Sequence, residues 1–152
     1  MSSSKTIAQH RTALSATFGR RILAGVIGGL AGGVVFGMLM AMMGLLATIA
    51  SMVGSTSPWV GFAMHLMISV LIGLGLTVPF GNRLLTGYGR GTLVGIAYGA
   101  IWWVLGPLVM MPLMLGMPVF TLDVTAVLSL MGHLIYGVIL GLTAVRVLTS
   151  RA

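Results

Sequence analysis

Long runs of apolar residues, separated by short polar or glycine- and proline-rich breaks, dominate this chain. The runs cover residues 22–50, 59–80, 92–114 and 124–147. Each meets the roughly 20 residues that an α-helix needs to cross about 30 Å of hydrocarbon. Backbone groups in lipid must be paired within their own segment, so the pattern predicts an all-α fold of four membrane-spanning helices. The first run exceeds one span, so we expect it to tilt or to end in a short interfacial turn.

The overall composition supports a membrane protein. Of the 152 residues, 58% are hydrophobic and only 6% are charged, whereas about a quarter of the residues of a soluble domain are charged. The net charge of +7 does not indicate nucleic-acid binding, because the basic residues flank the apolar runs. The absence of cysteine excludes disulfides, thiolate metal sites and thiol catalysis.

All basic residues fall on one side of the predicted membrane. They are Lys5, Arg11, Arg20 and Arg21 before the first span, Arg83 and Arg90 between the second and third, and Arg146 and Arg151 after the fourth. The two loops on the other side carry a single charged residue, Asp123. The positive-inside rule therefore predicts that both termini are cytoplasmic, in a bacterial cytoplasmic membrane. We interpret residues 1–18 as a mobile cytoplasmic tail and residues 19–152 as a single four-helix transmembrane domain.

The two halves of the chain resemble each other. Gly19-Arg20, Leu23, Gly25, Gly29 and Val34 recur seventy positions later as Gly89-Arg90, Leu93, Gly95, Gly99 and Val104. His65-Leu66, Val70 and Gly73-Leu74 recur sixty-eight positions later as His133-Leu134, Val138 and Gly141-Leu142. The pattern indicates two tandem, parallel helical hairpins, over residues 19–80 and 89–148, related by a pseudo-two-fold axis along the membrane normal.

Glycines at four-residue spacing mark one face of two predicted helices. These are Gly25, Gly29, Gly33 and Gly37 in the first helix, and Gly91, Gly95 and Gly99 in the third. Such faces let another backbone approach closely, either within the chain or in a homodimer or larger membrane complex. Pro107 and Pro112 predict a kink in the third helix that leaves nearby carbonyls free for other donors.

Two histidines inside the spans, His65 and His133, are the candidate site. As repeat partners they should lie at matching depth near the central axis. Three interpretations stay open: packing through hydrogen bonds to helix carbonyls or hydroxyls, relay or sensing of protons, and ligation of a metal or a b-type haem.

The thirteen methionines raise the alternative of Cu(I), with the cluster Met40, Met42 and Met43 as the part to test. We favour packing for them, because methionine is an adaptable apolar filler. Asp123 is predicted to cap the fourth helix. The chain has no nucleophile paired with a base, and it has no glycine-rich phosphate-binding loop. We therefore expect neither an enzyme nor a bound cofactor.

A set of motifs in the stretch 59–146 resembles the YagU-type family. They are Trp59-Val60-Gly61, His65, Gly91, Gly95, Pro112-Leu113-Met114, Gly116, Pro118-Val119-Phe120, Leu122, Ser129, Gly132-His133-Leu134 and Arg146. The resemblance implies a small multi-pass protein of the bacterial inner membrane, in a family without a settled biochemical activity. The chain lacks the long extracytoplasmic segment that such proteins can carry between the first two spans.

The expected function is transport-related, or concerns envelope or pH homeostasis through the paired histidines. One alternative is an accessory subunit that packs into a larger membrane complex. Another is a copper- or haem-binding protein. The lipid bilayer is the expected partner in each case, and nucleic acid is not.

Overall fold

A computed structural model describes the backbone of residues 2–150 and the side chains of residues 17–150. Its helices are α1 (Ser2–Met42), α2 (Leu46–Ser51), α3 (Pro58–Leu84), α4 (Tyr88–Leu105), a π-helical segment (Gly106–Met110), α5 (Met111–Leu115) and α6 (Val124–Thr149). This part of the chain contains no strand. The prediction of an all-α fold is confirmed.

Four stretches within the described residues are long and apolar enough to cross a membrane: Thr17–Met42, Pro58–Leu84, Tyr88–Leu115 and Val124–Thr149. They correspond to the four predicted runs, and a multi-pass membrane protein is the class that they indicate. The predicted tail at 1–18 lies mostly outside the residues whose side chains are described, so its mobility stays a prediction.

The first apolar run is divided by a turn. Helix α1 ends at Met42, the backbone turns through Gly44 at a φ of +72°, and α2 follows at Leu46. Glycine adopts this left-handed conformation without the steric penalty that a Cβ would bring. The run therefore ends in a turn and a short second helix, as one of the two alternatives for the long first run expects, and the first span ends at Met42. Helix α2 then packs on α3, where a side chain at Gly61 would overlap the Leu46 carbonyl.

The helices are arranged as two hairpins that meet along one seam. Helix α1 packs along α3, and α4 packs along α6. The hairpins join through an extensive contact between α1 and α6, whereas α3 and α4 touch each other only slightly. Helices α1 and α6 therefore form the centre of the bundle, and the wall between α3 and α4 is left open.

Each hairpin closes through its glycine face. Of the α1 glycines, the four at four-residue spacing lie against α3, with Gly29 next to the Ser69 carbonyl and Gly37 next to the Phe62 ring. Those of α4 lie against α6, where a methyl group on Gly95 or Gly99 would overlap a backbone carbonyl. Lipid offers no hydrophobic drive for helix association, so the hairpins depend on this close packing. The glycine faces serve contacts within the chain.

The two hairpins differ in their register. Gly73 of α3 lies against Gly25 and Gly29. The corresponding Gly141 of α6 lies against Gly91 and Gly95, whereas a copy of the first hairpin would place it against Gly95 and Gly99. The second hairpin is thus shifted by about one helical turn. The duplication of the chain stays a prediction.

The helix ends near the arginines form one end of the bundle, called here the basic end; the opposite end, which carries Asp123, is the Asp123 end. The Arg20 guanidinium donates hydrogen bonds to the carbonyls of Val147, at 2.8 Å, and of Ser150. Arg21 donates to the Val78 carbonyl at 2.7 Å. The last carbonyls of α6 have no partner within the helix, and cations are favoured at such an end. These arginines tie the start of the first span to α6 and α3.

Candidate functional site

The structure brings His65 of α3 and His133 of α6 to the same phenyl ring. The Phe36 centroid lies 5.1 Å from that of His65 and 4.7 Å from that of His133. Both contacts are edge-to-face, with interplanar angles of 85° and 66°. Phe36 is buried on α1. The histidines therefore share one site in the centre of the bundle, with the Phe36 ring packed against both.

The imidazole of His65 forms a hydrogen bond to another helix. It is buried, and its Nε2 lies 3.1 Å from the Gly33 carbonyl oxygen. A carbonyl only accepts, so Nε2 carries the proton and donates it across to α1. The absence of a side chain at Gly33 permits this approach, because a Cβ there would lie 2.7 Å from the Ser69 Cβ. His65 thus links α3 to α1.

The imidazole of His133 is arranged differently. Its Nδ1 donates a hydrogen bond to the Ser129 carbonyl, 2.8 Å away and one turn earlier on α6. In the neutral ring this leaves Nε2 as an acceptor with a free lone pair. Nε2 lies beside Gly106, 4.0 Å from the position of an ideal Cβ at that glycine. Within the described residues it makes no hydrogen bond.

Both histidines line a cavity of about 530 Å³ in the half of the bundle nearer the Asp123 end. Its walls come from α1, α2, α3, the third span and α6, and they are mainly apolar. The lining includes Ile68 and Ile72 of α3 and Trp102 and Met110 of the third span. Because α3 and α4 contact each other little, the cavity lies behind the open wall of the bundle.

Two tyrosines close the bundle below the cavity, toward the basic end. The Tyr136 hydroxyl donates to the Ser69 carbonyl at 2.6 Å, and the Tyr98 hydroxyl donates to the Ile72 carbonyl at 2.9 Å. These bonds join α6 and α4 to α3. Both hydroxyls are therefore engaged in holding the helices together at the floor of the cavity.

The prolines shape the wall of the cavity in the third span. Helix α4 ends at Leu105, and the π-helical segment with Pro107 replaces the next turn. Pro112 has no N–H to offer the Leu108 carbonyl, which accepts from the Phe120 amide at 2.9 Å instead. The prediction that these prolines free a carbonyl for another donor is confirmed. The loop after α5 consequently folds back onto the π-helical segment.

Asp123 lies at the mouth of the cavity and caps α6. Its carboxylate accepts a hydrogen bond from the Ala126 amide at 2.8 Å, which satisfies one of the free donors of the first turn. The predicted cap is confirmed. One carboxylate oxygen of the only acid in the chain is therefore already engaged.

The structure separates the methionines of the proposed copper cluster. Met40 is buried and lines the cavity, whereas Met42 is 85% exposed on the outside of the bundle. No group of three His, Cys, Asp or Glu side chains suited to a metal ion occurs among the residues 17–150. For haem, ligation by both histidines would require His65 to give up its bond to Gly33. The methionine and histidine side chains therefore fit neither a copper ion nor a haem well.

Sequence reasoning missed Phe36 and Gly106 as site residues. They are seventy positions apart, which is the offset between the two halves of the chain. One half therefore carries a bulky ring where the other carries no side chain. That difference between matched positions was a usable signal, because both residues line the cavity. No family model, curated protein or solved structure matches this chain.

Proposed function

We propose that this chain is a small multi-pass protein of the bacterial cytoplasmic membrane that binds a small, largely apolar molecule in connection with transport. The observation that carries the proposal is the cavity of about 530 Å³ beside His133. Ligand sites typically enclose about 300–1,000 Å³ behind apolar walls with a few placed polar groups. The open wall between α3 and α4 faces the region where such a molecule would dissolve, the hydrocarbon of the bilayer.

The orientation in the membrane is part of the same proposal. The arginines of the spans stand at the basic end, near the starts of the first and third spans and the ends of α3 and α6. Both termini are then cytoplasmic, and the cavity lies in the outer half of the bilayer. The resemblance to the YagU-type family agrees with this topology and includes His65 and His133. We propose membership of that family on the motifs between Trp59 and Arg146 alone.

The other roles have less support from the site. Within the described residues, no hydrogen bond joins the two imidazoles, and Phe36 packs against both rings. A relay of protons between the histidines therefore has less support than the binding role. An accessory subunit that docks through its glycine faces would need surfaces that already hold α3 and α6 in place. A homodimer through other surfaces is compatible with the binding role.

A side chain placed at Gly106 tests the binding role. Gly106 lines the cavity, and an ideal Cβ there meets only His133 Nε2, at 4.0 Å. Gly106→Leu should therefore fill the cavity without disturbing the helix contacts. Wild type and variant would be purified from membranes in mild detergent, and the small molecules that they retain identified by mass spectrometry.

We expect the wild type to retain a small molecule that Gly106→Leu loses. The matched control is Ala97→Leu, which places the same leucine side chain on the exposed face of α4 and should retain the molecule. Thermal unfolding would establish that both variants are folded. The same small-molecule content in all three proteins would overturn the proposed function.

A further inference from the structure

Most polar groups around the cavity are already engaged in hydrogen bonds. Tyr136 donates to Ser69, and His65 donates to Gly33. Asp123 at the mouth accepts from Ala126. Groups that hold helices together in this way are not free to bind a ligand without loosening the bundle.

Among the described residues, two groups of the lining are not engaged in this way: the buried N–H of Trp102 has no hydrogen-bond partner, and Nε2 of His133 has a free lone pair. The bond from Nδ1 to the Ser129 carbonyl sets the tautomer of the neutral ring and leaves Nε2 bare of a proton. The same bond holds the ring in place, so Nε2 is aimed beside Gly106 at the edge of the cavity. An acceptor in apolar surroundings gains most from a donor that enters with the ligand.

The charges around the cavity decide which kind of donor fits. No lysine or arginine lines it within the described residues, so an anionic group would find no counter-charge. The one acid, Asp123, is exposed at the mouth, away from the Nε2 of His133 that neighbours Gly106. A cation held at Asp123 would leave the His133 lone pair unused. A neutral hydroxyl matches the acceptor and the apolar walls together.

We infer that the cavity selects a neutral amphiphile, of the class of phenols and alcohols, whose hydroxyl donates a hydrogen bond to Nε2 of His133. Its apolar body lies between α3 and the third span, against Ile68, Ile72, Trp102 and Met110. It enters from the lipid through the open wall. This inference rests on the proposed function and adds the chemical class of the ligand and the atom that recognises it.

Two probes that differ in a single donor test the inference. 4-Hexylphenol carries the hydroxyl, and 4-hexylanisole has the same apolar body with the hydrogen replaced by a methyl group. Their binding to the full chain in nanodiscs would be measured by calorimetry, with empty nanodiscs as the correction for partition into lipid. One hydrogen bond of ordinary strength predicts that wild type prefers the phenol by roughly tenfold.

Variants at position 133 assign that preference to the imidazole. His133→Phe keeps a ring of similar shape but has no acceptor, so the preference should fall to about one while the anisole still binds. His133→Gln restores an acceptor on a side chain of similar reach and should recover part of the preference. Gly106→Leu should block both probes. Thermal unfolding of each variant separates loss of binding from loss of fold.

The possible results separate the inference from the proposed function. Equal affinity for the two probes in wild type, with both blocked by Gly106→Leu, would overturn the inference and leave the binding role standing. An unchanged preference in His133→Phe would also overturn it. Failure of both probes to bind wild type would reject this ligand class, while the molecules retained on purification decide the binding role independently.

Discussion

At the scale of single residues, missing side chains do two different things in the third span. Gly91, Gly95 and Gly99 allow the backbone of α4 to reach that of α6. Gly106, on the same span, lies beside empty space and leaves room for the cavity. Close backbone contact adds dispersion attraction along the whole helix pair, which is the main source of association in lipid. The residues that surround each glycine determine whether it permits close helix contact or leaves room for the cavity.

A methyl group on Gly95 should destabilise the bundle. The added Cβ would overlap the Gly137 carbonyl, and overpacking of this kind costs about 1–3 kcal/mol. Gly95→Ala should therefore lower the free energy of unfolding, measured by titration of detergent-solubilised protein with sodium dodecyl sulfate. The control is Gly89→Ala on the same helix, where nothing lies within 4 Å.

The control variant is expected to be neutral or stabilising, because alanine is a better helix former than glycine by about 1 kcal/mol. A similar loss of stability in both variants would show that backbone flexibility, rather than close contact with α6, explains the glycines of α4.

At the scale of elements, the third and fourth spans show how local chemistry sets the outline of the cavity. Proline cannot donate to the preceding turn, so the third span changes to a π-helical segment and then accepts the Phe120 amide from its own loop. Helix α6 begins where Asp123 caps it. Both features lie near the Asp123 end and determine where the wall of the cavity ends.

Removal of the cap should weaken the start of α6. Asp123→Ala loses the acceptor for the Ala126 amide, and the loss of an N-cap typically costs about 1 kcal/mol. Asp123→Asn keeps an oxygen at the same position and should unfold close to wild type, since asparagine is an equally good N-cap. The measurement is again the free energy of unfolding. Equal destabilisation by both substitutions would indicate that the charge of Asp123, and not its capping oxygen, stabilises the helix.

At the scale of the whole molecule, the two hairpins form an asymmetric bundle. They are joined along α1 and α6 and left apart along α3 and α4. The contact between α1 and α6 differs from the open wall between α3 and α4. The hairpins are shifted by one turn, and Phe36 in one has Gly106 as its counterpart in the other. The cavity lies behind the open wall between α3 and α4. Within the described residues, the bundle therefore has this one large cavity beside the histidines.

The orientation in the membrane can be measured with single cysteines, because the chain contains none of its own. Thr56→Cys and Thr121→Cys stand at exposed positions of the two loops at the Asp123 end, and Thr86→Cys stands at an exposed position of the loop at the basic end. We expect a membrane-impermeant maleimide to label the first two in intact cells and the third only after permeabilisation, since basic loops stay in the cytoplasm. The reverse pattern of labelling would contradict the proposed topology.

Several features of this protein were available from local sequence alone. Four apolar runs of sufficient length determine four helices, because each helix satisfies its own backbone in lipid. The positions of the arginines, the cap at Asp123 and the carbonyl freed by Pro112 likewise depend on a few neighbouring residues. The spacing of the glycines identified the close-packed faces without identifying what packs on them.

The remaining features depend on which helices meet, and only the tertiary structure decides that. The glycines of α1 could have faced α3 or a second copy, because the same smooth surface suits both. His65 and His133 look equivalent along the chain, yet one donates from Nε2 to another helix and the other from Nδ1 to its own. That difference follows from the backbone within reach of each ring. It leaves one lone pair free beside a cavity, which no spacing along the chain could indicate.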